Sequence, residues 1–185
     1  MTKGPGTLSQ VINKIDALTE LVGRSIAWLT LAMMIVMFTV VVLRYLFNTG
    51  MIAMQESVMY LHAAVFMVAA GYTLKHDGHV RVDIFYREMS EKKKALVDLL
   101  GTVCLLLPVT LFMASISFDY VMNSWAVMEG SPEAGGIPAV FLLKTLILVM
   151  VGLLLLQGIA EGLRNLLVVM GKSDGVEHHI NEEKV

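Results

Sequence analysis

The stretch SIAWLTLAMMIVMFTVVVL, residues 25–43, runs for nineteen residues without a charge. As a helix rising about 1.5 Å per residue it is about 28 Å long, close to the roughly 30 Å hydrocarbon core of a bilayer. Three further blocks share its character. Residues 57–74 are interrupted only by His62, residues 99–118 carry no charge, and residues 137–160 hold one lysine, Lys144. Each reads as a transmembrane helix. A buried soluble helix is the alternative for the fourth block, but the other three leave no soluble core to bury it in.

Composition supports this. The chain is 56% hydrophobic and 16% charged, against about 45–50% and 25% in soluble domains. The predicted fold is all-α and integral to the membrane, with spans at about 25–47, 55–75, 91–125 and 138–170. A net charge of -2 supplies no overall field for nucleic acid. The single cysteine, Cys104, cannot form an internal disulfide and reads as a small buried hydrophobe. The first 25 residues show no apolar signal-peptide core or cleavage site, so the first span is expected to remain as an anchor.

Loop charges predict the orientation. Lys3, Lys14 and Arg24 precede the first span. Lys75, Arg81, Arg87, Lys92, Lys93 and Lys94 lie between the second and third, and Arg164, Lys172 and Lys184 follow the fourth. Loops 48–55 and 119–137 contain no lysine or arginine. The positive-inside rule then puts both termini and the middle loop in the cytoplasm.

Before the first span, Leu8, Val11, Ile12, Ile15, Leu18 and Val22 recur at helical spacing, and Thr7 with Gln10 fits a capping box. Residues 1–24 are expected to form an amphipathic helix on the cytoplasmic leaflet or against a partner protein. The polar tail, 171–185, is expected to be disordered, with His178 and His179 solvated.

Ionisable groups near span ends need partners or a route to water. Arg44 ends the first span and Glu56 opens the second, so they are expected to pair. Asp119 lies six residues before Trp125, an interface anchor by type, and Lys144 six residues after Pro138. Both should sit about 9 Å below the interface and pair in turn. Independent snorkelling to the headgroups is the alternative. Glu161 and Arg164 form an i, i+3 couple, expected at the cytoplasmic surface, with Gln157 on the same face. The run GIAEG, residues 158–162, fits a close helix approach. Pro108 is expected to disturb the third helix by removing the bond to the Cys104 carbonyl.

His62 is the only histidine within a span, so a haem held between facing helices has no second ligand. The run KHDGHVRVD, residues 75–83, has the residue types of a metal site. It follows the second span directly, however, and reads as an amphipathic elbow. Gly78 would turn the chain, and Asp83 would cap a short interfacial helix running to Ser90. His79, Arg81 and Asp83 belong to this elbow. No phosphate loop, nucleophile–base pair or acidic ion path is present, so the reading is not an enzyme and assigns no cofactor or metal to the chain.

Several stretches, in order, carry a resemblance: RYLFN (44–48), MQESVMYL (54–61), Gly71, HVRVD (79–83) and SWAVMEGSPEAGGIP (124–138). Together they resemble the small membrane subunit, DctQ-like, of tripartite ATP-independent periplasmic (TRAP) transporters. GIPAVFLLK and LLLLQGIA look more like the mannitol/chloroaromatic branch. The resemblance implies a bacterial inner-membrane complex. A periplasmic substrate-binding protein captures an organic acid, and a large membrane subunit carries it inward on an ion gradient, usually sodium. The small subunit is then a static scaffold for an elevator-type domain. Substrate and ion belong to the large subunit, so no binding residue is carried over. Glu129 and Glu133, in an outer loop rich in glycine and proline, are candidates for touching the binding protein. The competing functions are a self-contained four-span transporter, for which Glu56 is the one acid available, and the membrane anchor of a redox enzyme.

Overall fold

A computed structural model describes residues 7–80 and 84–171. Its order is α1 (Thr7–Leu46), α2 (Ile52–Val68), α3 (Ala70–Lys75), α4 (Glu91–Gly101), a π-helical turn (Thr102–Leu106), α5 (Leu107–Ala126) and α6 (Val140–Val169). The fold is all-α, and four of its helical units are long and apolar enough to cross a bilayer: Thr7–Leu46, Ile52–Lys75, Glu91–Ala126 and Val140–Val169. The apolar residues face outward. Trp28 is 73% exposed and Phe112 62%. Such side chains are stable outside only if hydrocarbon is the solvent. The chain is a multi-pass membrane protein.

α6 is the central strut and touches every other helical segment. Gln157, Gly158, Ala160 and Arg164 lie on its buried face. Gly158 lets the third span close in, since a Cβ there would come 2.7 Å from a Leu106 methyl. The close approach expected of the GIAEG run therefore has its partner.

The amphipathic N-terminal segment is not a separate element. It continues into the first span as one unbroken helix of 40 residues. At about 1.5 Å per residue that is about 60 Å, twice the hydrocarbon thickness. The segment before Arg24 packs on the last turns of α6, where Ile12, fully buried, joins Ala160 and Leu167. The face turned inward is Ser9, Ile12, Thr19 and Gly23, while Leu8, Val11 and Leu18 stay exposed. The inward face is smaller and more polar than the apolar stripe suggests because the α6 surface it meets is itself polar.

The second span is nearly continuous. Regular α geometry lapses at Ala69, yet the backbone bonds Ala69 N to Val65 O and Thr73 N to Ala69 O bridge the gap. It ends with Gly78 N donating to Thr73 O and Asp77 N donating to Leu74 O. Asp77, not Gly78, takes the left-handed conformation (φ 53°). This is a Schellman stop, and aspartate tolerates that region better than most residues. The short interfacial helix expected next is absent from the described part. Residues 84–88 form successive turns, tied back by a 2.5 Å bond from the Tyr86 hydroxyl to Asp98. Arg81 and the expected cap Asp83 lie outside the described residues, as does the tail beyond Gly171.

In the third span the widened turn Thr102–Leu106 precedes Pro108, and the Leu107 amide reaches the Thr102 carbonyl. Proline would crowd the carbonyl four residues back, and a π turn moves that carbonyl aside.

Gly23 marks where α1 crosses the end of the second span. A Cβ there would overlap the Tyr72 ring and lie 2.8 Å from the Tyr72 Cβ. Gly23→Val is expected to cost about 1–3 kcal/mol through overpacking. Thermal unfolding in detergent reads this directly, and Gly23→Ala should lie between the two.

Candidate functional site

The polar groups gather in two clusters, one at each end of the helices. At the end carrying Thr7 and Gly171, α1 supplies Asp16 and, one helical turn on, Thr19 and Glu20. α6 supplies Gln157, Glu161 and Arg164. Arg164 Nη2 donates to Asp16 Oδ2 at 2.5 Å, and Nη1 donates to Glu161. Gln157 is fully buried. Its amide donates to Asp16 Oδ1 at 3.0 Å and to Glu161 Oε1 at 3.1 Å, and its carbonyl accepts from Thr19 at 2.8 Å. The Glu161–Arg164 couple is thus present, but not as a surface pair: Arg164 is 3% exposed.

One turn along α1, Glu20 accepts from Lys75 Nζ at 2.7 Å, His76 Nε2 at 2.9 Å and Arg24 Nε at 2.7 Å. Lys75 also reaches the Asp16 carbonyl and is buried. It turns inward to join α1 rather than outward to lipid. Three carboxylates (Asp16, Glu20, Glu161) meet three permanent cations (Arg24, Lys75, Arg164), so the cluster is balanced.

The Lys75 hydrogen bond, followed by that of His76 and then Arg24, lowers Glu20 from the usual 4.5 to about 2, against a smaller opposing effect of burial. A depressed carboxylate contributes stability above its unfolded value and loses it as pH falls through the folded one. The tie between α1 and the second span is therefore expected to hold unchanged from pH 8 down to about 4.5 and to weaken between about 4.5 and 2. Amide exchange at the residues around Lys75, compared at pH 7 and pH 3, checks this.

At the far end Glu56 does not pair with Arg44. One carboxylate oxygen accepts from the Ser131 hydroxyl, the other from the Ile137 amide at 2.6 Å. Lys144 does not pair with Asp119, which is exposed. It donates to Glu129 at 2.5 Å and lies 4.1 Å from the centre of the Tyr120 ring. Glu129 also accepts from Ser124 at 2.6 Å. Lys144 first and Ser124 second hold its carboxyl below the usual range. Trp125 donates to Thr145 at 2.8 Å and meets Phe141 edge-on.

These bonds shape the loop between α5 and α6. Met128 takes a left-handed turn (φ 46°), and Glu129 N bonds back to Ser124 O to stop α5. Ser131 N donates to Ile137 O and closes the loop on itself. Gly136 lies where a side chain would strike Ser131 and Glu56. Pro132 and Glu133 are left exposed at the tip. His79 is exposed in the loop after the second span. Among the described residues no group of histidine, cysteine and acids could hold a metal ion.

Sequence reading gave Asp16, Glu20, Ser124 and Ser131 no partners, and it read Lys75 and His76 only as part of the elbow after the second span. Asp16 and Glu20, spaced i, i+4 beside an apolar stripe, gave one usable signal: two acids on the flank of a helix that must pack.

Both clusters join helices to one another. With four helices long and apolar enough to cross a bilayer, they define a multi-pass helical membrane protein braced at both ends. A family model described as "Tripartite ATP-independent periplasmic transporters, DctQ component" matches residues 33–167, and the chain belongs to that family. Members of it work with a large membrane subunit and a substrate-binding protein. No curated protein and no solved structure gave a match.

Proposed function

We propose that the chain is the static scaffold subunit of a binding-protein-dependent, ion-driven importer of an organic acid or related solute. It packs on the large subunit and steadies that subunit's elevator movement without binding substrate. The observation that carries this reading is where the charges are. α6 is tied to α1 at one end and to the outer loop at the other, while residues 25–43, 57–74, 99–118 and 145–160 contain no charged side chain. A self-contained four-span carrier that exchanges protons for cargo typically needs a membrane-embedded acid along its path. Here the acids and the permanent cations brace the ends, and no acid lies in the middle.

The basic residues around the Thr7 and Gly171 end support a cytoplasmic placement for it, in a bacterial inner membrane, with the loop between α5 and α6 facing the periplasm. The loop tip then presents Glu133 to the binding protein. Glu129 is held by Lys144 and Ser124, so contact falls to Glu133. Sodium is the coupling ion the family resemblance implies, bound by the large subunit.

The test is reconstitution of the chain alone and with its large subunit and binding protein. Uptake is expected only from the three together, with this chain co-purifying with the large subunit. Uptake by this chain alone overturns the reading. Glu133→Lys should weaken uptake at limiting binding protein; unchanged uptake removes the contact assigned to the tip.

A further inference from the structure

Beside the contact between α1 and α2 runs a cleft of about 620 Å³. Met33, Met37 and Met59 contribute to its apolar walls, Arg44 and Gln55 lie at its outer end, and His62 lies at its inner end. Arg44 is exposed there, and Glu56, the nearest acid by sequence, is engaged with Ser131 and Ile137. Among the described residues Arg44 has no hydrogen-bond or ion-pair partner. A permanent cation at headgroup depth calls for an anion.

From Arg44 the cleft descends to Met33, eleven residues along α1 and about 16 Å at about 1.5 Å per residue. A narrow slot floored by methionine suits a flexible alkyl chain, since thioether side chains adapt to irregular shapes. One ligand class combines an anionic head with such a chain.

We propose that the cleft between α1 and α2 holds one phospholipid of the adjoining leaflet, its phosphate on Arg44 with Gln55 as a second donor and an acyl chain along Met37 and Met59. The site belongs to this chain and does not depend on the scaffold reading. Free phosphate would meet Arg44 equally well but would leave the methionine walls uncovered.

The test places a benzophenone amino acid at Met37 and, as a bulk-lipid control, at Phe112 on the exposed face of α5. The intact complex is irradiated in membranes and its mass measured. The expected result is a phospholipid adduct at Met37 that Arg44→Gln lowers by about tenfold, as loss of one charge-assisted hydrogen bond implies, while the Phe112 adduct is unchanged. A probe at Met59 with Val40→Trp filling the slot should lose its adduct in the same way, and thermal unfolding of Arg44→Gln should match wild type. Three results each overturn the proposal: a cross-link from Met37 to a second polypeptide, the absence of a lipid adduct at Met37, or equal responses of the Met37 and Phe112 adducts to Arg44→Gln.

Discussion

Arg164→Ala is expected to destabilise the chain by about 3–5 kcal/mol, the cost of leaving buried charges without their partner. Asp16 and Glu161 would then face each other across a fully buried Gln157, with no cation between them. The unfolding temperature should fall by about 10 °C. Arg164→Lys should recover only part of the loss. Two guanidinium nitrogens now serve two carboxylates, and one ammonium cannot reproduce that fork. The decisive comparison removes the whole charge set. Arg164→Met with Asp16→Asn and Glu161→Gln should regain more than half of the lost stability, because neutral replacements leave no buried charge orphaned. A triple variant as unstable as Arg164→Ala would show that the arginine acts through packing and not through its two acids.

Glu56→Ala should release the outer loop while leaving the spans in place. The carboxylate bonds both Ser131 and the Ile137 amide, joining the start of α2 to both sides of the loop closure. The Ile137 amide should exchange at least about tenfold faster, while amides in the middle of α6 keep their protection. Glu56→Gln should lie between, since an amide oxygen can still accept one of the two bonds. If the loop also presents Glu133 to a binding protein, Glu56→Ala and Glu133→Lys should impair uptake alike, the first by losing order and the second by reversing charge. Unchanged exchange at Ile137 in Glu56→Ala would show that the loop is held by its own backbone bonds.

The two ion pairs that the sequence suggested show where reading along a chain stops. Counting residues at a fixed rise assigns Arg44 and Glu56 to one depth, and Asp119 and Lys144 to another, but it assigns depth alone. Which way each side chain points follows from how the helices are rotated and ordered, and no count supplies that. Glu56 turns toward the loop before α6, and Lys144 toward Tyr120 and Glu129. The spans themselves were legible because charge-free runs of that length have few other uses. The polar face of α1 was harder to read. Its apolar stripe suggested lipid or a partner, yet Ile12 and Thr19 meet α6, whose own buried face carries Gln157 and Arg164. Two helices hid their complementarity from each other across about 140 residues of intervening chain.

The place of α6 has a consequence for how the protein comes into being. It is the last in chain order of the four described spans and the one against which the other three pack. The bonds from Glu20 to Lys75 and His76 need only the first two spans and can form early. Asp16, Thr19 and Glu56 must wait for residues 131–164 to find their partners. Until then three inserted helices stand in the bilayer with polar flanks unmet. A chain that stops short of α6 leaves those flanks unmet, and completion of α6 is the step that hides them.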